Sequence, residues 1–469
     1  MTTKALSRPA IKRGHGSAER PVAGVLWNRD SQPGARPLVE HGNVEPENQQ
    51  VDYRRYYDND YFKLELDKLW RKTWLYACRE EDIPNVGDRI PFDVGPLSFF
   101  VVRSEVNEFK AFYNSCLHRG TALCAKLESA STIRCPYHGW EWNNDGTLKF
   151  IPSHWDFTAV TRLNGALREV KLGRWGGFIF INADPDAAPL EEALQVIPKH
   201  FVDFGAERRY TAARFRKLVL ANWKIAQEAF MESYHLLATH PEAVPYNGDS
   251  QTQYDIWGSE HGHVGRNATP SAVPSMHAVP EATPHAAAQV YAQGMRDWHY
   301  PNEALPELDP AADPRAQVAA WHRKVMERAY GRPIDLPDAV MIDSLLYFVF
   351  PHSTFWLSES LPFTYQFTPH PTDPEKSYFE VRMLLPWPEG KPRPPSSPAV
   401  FVAPDERVME KAPGFGILGY VFDQDMSNMP LIQKGVRAAD PTRHHSELGR
   451  YQEQLVQHWN ELFDRYMSA

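Results

Sequence analysis

Two short stretches, YNSCLHRG (113–120) and RCPYHGW (134–140), decide how the fold of this chain is interpreted. Each stretch carries one cysteine and one histidine, followed by a glycine. The pattern is C-x-H, sixteen intervening residues, and then C-x-x-H. Thiolates and imidazoles clustered in this way are typical metal ligands. The candidate ligands are Cys116, His118, Cys135 and His138.

Two cysteines and two histidines can bind zinc, or a two-iron, two-sulfur cluster in which histidines replace two of the cysteines on one iron. A zinc finger groups its cysteines on a hairpin and its histidines on a helix, whereas here each loop supplies one of each. Two such loops can hold a flat cluster from opposite sides, and Gly120 and Gly139 permit a close backbone approach. The layout favours the iron–sulfur cluster. Cys124 is interpreted as a small buried apolar residue.

The chain around these loops has the character of short strands. From Trp74 to about Asn182, runs such as LSFFVV (97–102) and FIFIN (178–182) alternate with turn signals. Both Cys/His loops lie inside this stretch, which predicts a small all-β module. A helix is predicted before it, from about Asp58.

Composition excludes several classes of protein. The 469 residues carry a formal net charge of −9 without a basic patch, so no nucleic-acid partner is expected. No apolar run is as long as a membrane helix, and the start lacks the apolar stretch of a secretory signal, so we expect no membrane partner and a cytoplasmic location. Four cysteines make no disulfide framework. Residues 1–45, rich in Pro, Gly, Arg and Ser, are predicted to be a flexible tail.

A cluster of this kind only passes electrons, so the chemistry is expected elsewhere. Non-haem iron that activates O₂ is typically held by two histidines and one carboxylate. The stretch EAFMESYHLLATHPE (228–242), predicted to be helical from residue 222 onward, offers His235 and His240. Side chains five positions apart on a regular helix point about 140° away from each other. The two rings therefore converge only if the helix ends between them, which Pro241 favours. Glu232 shares the face of His235 and can orient its ring.

Both sets of residues resemble one family. The loops YNSCLHRG and RCPYHGW resemble the Rieske domain of ring-hydroxylating oxygenases, and NWK (222–224) with E-x-F-x-E-x-Y-H-x₄-H (228–240) resembles the catalytic motif of the same family. In that family a late aspartate, eight residues before a glutamine, completes the iron site. Asp425, eight residues before Gln433, has this spacing and is chosen over Asp423.

The resemblance implies an α+β architecture from about Tyr53 to the C-terminus, although it does not cover residues 243–316. Residues 46–185 are expected to form an N-terminal helix and an all-β Rieske [2Fe–2S] domain. Residues 186–469 are expected to form a catalytic domain with a helix-grip fold. In that fold an antiparallel sheet wraps round a long helix, and a mononuclear Fe(II) lies between them.

The resemblance also implies an activity and partners. The family's terminal oxygenases use O₂ and electrons from NAD(P)H, relayed by a reductase and often a ferredoxin. They form homotrimers or α₃β₃ assemblies with a small β subunit. The cluster of one subunit feeds the iron of its neighbour across a carboxylate at the position of Glu232, where many members have Asp. Ala229 departs from the Asn that many members have.

The substrate is predicted to be an apolar aromatic or polycyclic compound, which is cis-dihydroxylated or monooxygenated. Two alternatives stay open: a monooxygenase or demethylase acting on a non-aromatic or methylated substrate, and a Rieske protein that only transfers electrons. Arg266 or Arg296 could contact an anionic substrate. Histidines 261, 263, 277, 285 and 299 are interpreted as loop residues rather than a third metal site. The predicted pocket residues are Phe230, Tyr234, Leu236, Trp257, Phe348, Phe350, Trp356 and Phe422.

Overall fold

The structure, a computed structural model, describes residues 23–27, 39–161, 164–258, 263–278 and 282–469. Its N-terminal part runs through the following helices and strands. They are α1 (Ala23–Trp27), β1 (Gln50–Asp52), α2 (Asn59–Glu65, continued by a π-helical turn at Leu66–Trp70), β2 (Leu75–Arg79), β3 (Asp88–Val94), β4 (Leu97–Glu105), β5 (Glu108–Tyr113), β6 (Glu128–Ser129), β7 (Thr132–Arg134), β8 (Glu141–Asn143), β9 (Leu148–Phe150), β10 (Glu169–Trp175) and β11 (Phe178–Asn182).

The C-terminal part continues with further helices and strands. They are α3 (Leu190–Leu194), α4 (Ile197–His200), β12 (Arg209–Val219), α5 (Trp223–Glu228), α6 (Leu236–Thr239), β13 (Gln253–Gly258), β14 (His263–Thr269), α7 (Pro284–His299), α8 (Pro314–Tyr330), α9 (Asp338–Ile342), β15 (Ser344–Val349), β16 (Ser353–Trp356), β17 (Phe363–Pro369), β18 (Ser377–Pro386), β19 (Val400–Val402), α10 (Val408–Lys411), α11 (Leu418–Arg437), β20 (His445–Glu447) and α12 (Gln454–Ser468).

The N-terminal strands form the predicted all-β module. A seven-stranded sheet has the order β2-β11-β10-β5-β4-β3-β6, and β7-β8-β9 form a separate three-stranded sheet. Strand pairs in both sheets are antiparallel. The first Cys/His loop leaves the end of β5, and the second connects β7 to β8. Each loop is therefore positioned by a strand of a different sheet.

The C-terminal part has the helix-grip fold. Its curled sheet has the order β13-β14-β15-β16-β17-β18-β12-β19 and is antiparallel except for the pair β12 and β19. Helix α11, of 20 residues, packs against this sheet through Phe422, whose ring lies 5.3 Å from Phe215 and 5.9 Å from Tyr365 between centroids. Residues 243–316, which the sequence left unassigned, contribute β13, β14 and α7.

The predicted continuous helix from residue 222 to 240 is wrong, because α5 ends at Glu228 and α6 begins only at Leu236. Side chains bind the backbone in between. The Glu232 carboxylate accepts a hydrogen bond from the His235 N–H at 2.9 Å, and the Ser233 N–H donates to the Tyr254 hydroxyl at 3.2 Å. Such bonds compete with the helical hydrogen bonds that the sequence pattern predicts.

The prediction of a flexible tail is wrong for the described residues before 46. Helix α1 places Trp27 in the core, where its Nε1–H donates to Asp343 at 2.8 Å. Asn43 and Val44 donate backbone hydrogen bonds to Ile256 of β13. This segment therefore covers the edge strand of the catalytic sheet. The remainder of the predicted tail lies outside the described residues.

Buried polar contacts join the two main sheets. Asp82 accepts from Arg382 of β18, with 2.7 Å between Oδ2 and Nη1. Glu81 accepts from the backbone N–H and the hydroxyl of Thr211 in β12. Burial raises the pKa of Asp82, but the charges of Arg382 and Arg214 outweigh burial and lower the pKa to about 2. The boundary at residue 185 thus lies within one continuous core.

Among the described residues, none of the helices combines the length and the apolar composition that crossing a membrane requires.

Candidate metal centres and substrate cavity

The two Cys/His loops have the same backbone geometry. In the first, the N–H of Gly120 donates to the carbonyl of Cys116 at 2.9 Å, and in the second the N–H of Gly139 donates to that of Cys135 at 3.1 Å. Both glycines have a left-handed backbone, with φ of 76° and 72°. This conformation suits glycine. The equivalent turns present the two cysteines in the same way, whereas the histidine stands two residues after Cys116 and three residues after Cys135.

The four predicted ligands come together between these loops. Cys116 and Cys135 are buried free thiols, and the rings of His118 and His138 lie 4.5 Å apart between centroids. The Nδ1 atom of His118 is buried and has no hydrogen-bond partner. A buried ring nitrogen without a partner is costly unless a metal uses it. These residues could hold a [2Fe–2S] cluster.

Cys124 does not belong to this group. Its thiol is buried and donates to the carbonyl of Lys126 at 3.3 Å. Two large apolar side chains are exposed beside the four ligands, Leu117 at 45% and Tyr137 at 58%; Arg119 and His138 are exposed as well. The histidine side of the group therefore faces outward.

A second group of ligands forms where α6 meets α11. His235 precedes α6, His240 follows it, and Asp425 lies on α11. One ligand atom from each lies within 4.8 Å of the other two. The Oδ1 atom of Asp425 is 2.9 Å from Nε2 of His240 and 3.6 Å from Nε2 of His235. Two imidazoles and one carboxylate in this arrangement suit non-haem iron.

Each imidazole of this second group is held at Nδ1, the ring nitrogen that points away from Asp425. Nδ1 of His235 lies 2.7 Å from Oε1 of Glu232, and Nδ1 of His240 lies 2.9 Å from Oε1 of Gln424. These contacts turn both Nε2 atoms toward Asp425. Burial lowers the pKa of His235, but Glu232 and then Asp425 raise it, to about 9. A site that favours positive charge on its imidazoles also favours a bound cation.

The neighbouring polar residues of α11 have other roles. Asp423 accepts hydrogen bonds from the backbone of Val408 and Met409, at the start of α10. Gln433 accepts from the Asn222 N–H at 2.9 Å and so fixes the start of α5. Sequence reasoning missed Gln424, although its position beside Asp425 could have suggested it.

A cavity of about 260 Å³ opens onto the second group of ligands. Four of the eight predicted pocket residues line it: Phe230, Leu236, Trp356 and Phe422. The prediction missed several lining residues on α7 and on strands β15 and β17. These residues are Tyr291, Met295, Trp298, Leu346, Phe363 and Tyr365. The alternation of Phe363 and Tyr365 along a strand was the available signal.

The other four predicted pocket residues lie elsewhere. Tyr234 is 63% exposed. Trp257 packs in a separate core and stacks on Tyr347, with 6.3 Å between ring centroids. Phe348 packs where a side chain on Gly265 would collide with its ring, and Phe350 stacks on Tyr466 at the C-terminal helix.

The cavity wall is apolar and, in its charged residues, acidic. Within the described part of the chain the lining contains no lysine and no arginine. Its carboxylate residues are Glu232, Glu242 and Asp425. Neither candidate contact for an anionic substrate lines it. Arg266 is buried against Asp255, with 2.5 Å between Nη2 and Oδ2, and Arg296 pairs with Asp297.

The additional histidines form no third ligand group among the described residues. Two of them contact backbone carbonyls: His285 contacts Asp309, and His299 contacts Ser360. His285 is the second residue of α7 and His299 is its last, so these two are helical rather than loop residues. His263 begins β14. His261 lies outside the described residues.

Two sites with these ligand types, one in an all-β module and one in a helix-grip domain, define a Rieske non-haem iron oxygenase. The chain belongs to this family. The family model for the ring hydroxylating alpha subunit (catalytic domain) matches residues 203–469, and that for the Rieske [2Fe-2S] domain matches residues 73–161.

Individual relatives act on different compounds. The chain is 28% identical over 218 residues to the carnitine monooxygenase oxygenase subunit of Escherichia coli (strain K12), covering 45% of this chain and 58% of that protein. It is 28% identical over 188 residues to the glycine betaine monooxygenase oxygenase subunit of Pseudomonas aeruginosa (strain UCBPP-PA14), covering 40% and 44%. The chain spans about half the length of the curated relatives it matches.

Solved structures share the fold across most of the chain. A quaternary ammonium Rieske monooxygenase superposes with a TM-score of 0.61 at 17% identity, covering 91% of this chain and 100% of that one. Naphthalene 1,2-dioxygenase superposes with a TM-score of 0.63 at 16% identity, covering 91% and 94%. At these identities the likeness concerns the fold alone.

Proposed function

We propose that this chain is the terminal oxygenase of a Rieske monooxygenase that hydroxylates a carbon bonded to nitrogen in an N-methylated, cationic compound. The observation that carries the proposal is the character of the substrate cavity. Its aromatic wall and its carboxylate, Glu242, suit a cation, and no basic residue lines it in the described part of the chain. Relatives named for carnitine and glycine betaine support the same substrate class.

The aromatic rings form one continuous surface. Trp356 lies 5.7 Å from Tyr365, and Phe363 lies 5.9 Å from Trp298, between ring centroids. A quaternary ammonium group against such faces gains about 0.5–2 kcal/mol per ring contact, depending on how far it is desolvated. The same rings exclude water from the methyl groups. They would therefore hold the cation next to the metal site.

The residue roles follow from the two ligand groups. Cys116 and Cys135 would hold one iron of the cluster, and His118 and His138 the other. His235, His240 and Asp425 would hold Fe(II), which activates O₂ when bound. Glu232 and Gln424 orient the two imidazoles.

The reaction consumes one O₂, two electrons and two protons. One oxygen atom enters a C–H bond next to nitrogen, and the other leaves as water. The hydroxylated carbon then loses its bond to nitrogen, so that an amine and an aldehyde are released. For a quaternary ammonium substrate this second step also releases one proton.

Electrons would come from NAD(P)H through a separate reductase, with or without a ferredoxin. We propose a homotrimer, or an α₃β₃ assembly, in which His138 of one subunit approaches Glu232 of the next. The exposure of His138 and the position of Glu232 against His235 support this contact. Inter-subunit electron transfer is described for a structurally similar quaternary ammonium Rieske monooxygenase.

A second candidate is oxygenation of an apolar aromatic compound. The cavity favours it through its phenylalanine and tryptophan side chains, which bind neutral rings as well as cations. It requires neither Glu242 nor release of an aldehyde.

A substrate panel distinguishes the two candidates. With reductase and NADH, we expect trimethylammonium compounds to stimulate O₂ uptake and to release aldehyde in equal amounts. Replacing Glu242→Gln should raise KM for the cations at least several-fold and leave neutral substrates unchanged. Turnover confined to neutral aromatic compounds, without aldehyde, would instead establish the second candidate.

A further inference from the structure

A second cavity, of about 610 Å³, reaches the same ligand group. Glu232, His235 and Asp425 line both cavities and therefore form the wall between them. The second cavity is large enough for water, and its lining is acidic. Glu228 and Glu453 line this cavity, and the side chain of Ala229 adds only a methyl group to its wall. The substrate cavity is thus not the only approach to the candidate metal site.

Glu228, the last residue of α5, is partly buried in the wall of this cavity. Its carboxylate accepts from the Tyr56 hydroxyl, 2.9 Å from Oε2, and from Asn460 Nδ2, 3.0 Å from Oε1. Among the described residues it forms no ion pair. The two nearest cations are already neutralised, because Lys224 pairs with Glu65 and Arg55 pairs with Asp464.

Burial favours the protonated carboxyl of Glu228, whereas its two hydrogen-bond donors favour the carboxylate. Burial raises the pKa of Glu228 to about 7, although Asn460, Tyr56, Arg55 and Lys224 each lower it. The charged and titratable groups near Glu228 come from its own helix, the N-terminal segment, the C-terminal helix region and the cavity wall. They are Lys224, Arg55, Tyr53, Tyr56, Asp464, Glu232, His235, Asp425 and Glu453.

We propose that Glu228 holds a proton and supplies it to the iron site from the side opposite the substrate. The inference rests on the proposed oxygenase function, which consumes two protons for each O₂. One of them would pass from the Glu228 carboxyl across the second cavity to the oxygen atom that leaves as water. The carboxylate would then take up a proton from solvent.

The geometry explains why this route leaves the substrate undisturbed. The proton enters from α5 and the N-terminal segment, whereas the substrate approaches from α7 and β17. Ala229 keeps the space beside Glu228 open. A larger side chain there would obstruct the path without removing the carboxyl.

Infrared spectroscopy of the purified holoenzyme tests whether Glu228 holds the proton. We expect a protonated-carboxyl band that titrates near pH 7, disappears in Glu228→Gln and persists in Glu453→Gln. Tyr56→Phe should move the titration to higher pH, because it removes a donor that stabilises the carboxylate. A band that is absent, or that disappears in Glu453→Gln instead, would overturn the proposal.

Kinetics test whether that proton is used. General acids contribute about 10²–10⁴-fold, so Glu228→Gln should slow reductase-supported O₂ uptake at least tenfold, with cluster spectrum and iron content unchanged. The wild-type rate should fall above pH 7, where the acid is deprotonated, and this fall should disappear in Glu228→Gln and shift upward in Tyr56→Phe. An unchanged rate and pH profile in Glu228→Gln would refute delivery.

The tests of Glu228 do not depend on the proposed substrate class, so either proposal can fail while the other holds. The infrared titration needs neither substrate nor electrons, and the kinetic test uses whichever compound stimulates O₂ uptake. Ala229→Leu gives a further check, because it should slow uptake while leaving the infrared titration in place. Unimpaired uptake in Ala229→Leu would argue against the cavity as the route.

Discussion

At the scale of single residues, the candidate iron site is set by pairs of side chains. Both imidazoles are fixed at Nδ1 by an oxygen, which leaves Nε2 for Asp425. The same logic applies in the cluster loops, where a buried nitrogen of His118 lacks a partner. Polar atoms buried at this cost point to ligands that compensate them.

Asp425→Ala should abolish oxygenation and mononuclear iron binding. The visible spectrum of the cluster should persist, because the four cluster candidates lie in the other sheet module. Metal analysis and spectra of the purified protein check this. Asp423→Asn is the matched control, since Asp423 caps α10, pairs with Arg407 and lines neither cavity. Full activity of Asp425→Ala would refute the assignment.

Gln424→Leu should weaken iron binding without removing a ligand. Loss of a residue that orients a ligating histidine typically costs about 10–100-fold in metal affinity. Iron dissociation measured with a chelator gives the change, again against Asp423→Asn. Equal iron retention in both variants would mean that Gln424 does not hold His240.

At the scale of elements, the break between α5 and α6 and the open face of α7 shape the site. The break allows His235 and His240 to converge, although they are five residues apart. Helix α7 presents Gly294 at the cavity mouth, where an added Cβ would have no neighbour within 4 Å. Glycine inside a helix costs about 1 kcal/mol relative to alanine, so the mouth stays open at the expense of helix stability.

Gly294→Ala and Gly435→Ala should each stabilise the protein by up to about 1 kcal/mol, because both glycines lie inside helices in open space. Thermal unfolding measures this gain. Gly294→Leu should also raise KM for bulky substrates by narrowing the mouth. Gly435→Leu is the control, because Gly435 lines neither cavity. The same KM change in both variants would contradict this role.

At the scale of the whole molecule, the two sheets behave as one core. The N-terminal segment reaches across both: Glu65 pairs with Lys224 of α5, β1 pairs with β20, and Asp82 pairs with Arg382. The cluster module and the iron helix are therefore held in a fixed relation within one subunit.

Asp82→Asn should destabilise the protein by about 3 kcal/mol at pH 7, because it leaves Arg382 buried without its charge partner. Since the folded-state pKa of Asp82 is lowered to about 2, this stabilisation is complete above pH 4 and lost as pH falls toward 2. Urea unfolding at several pH values checks both statements. Asp60→Asn, which affects an exposed pair with Lys63, should leave stability unchanged within the error of the measurement.

The sequence alone determined the kind of chemistry. The two Cys/His loops, the spacing of His235 and His240, and the spacing from Asp425 to Gln433 are local patterns, so they are visible without a fold. They identified the family, the fold class and the candidate ligands. Gln433, for example, lies eight residues after Asp425, which is about two helical turns and therefore the same face of α11. Its contact with the Asn222 N–H joins distant parts of the chain.

Only the tertiary structure decided the shape and charge of the space around the ligands. The cavity wall combines α7, β15, β17 and α11, which lie far apart in the chain, so adjacency to the ligands in sequence misplaced Tyr234, Trp257, Phe348 and Phe350. The helix break depends on Tyr254, and the position of the Glu228 carboxylate depends on Tyr56 and Asn460. Contacts between distant segments are set by packing, which local periodicity does not encode.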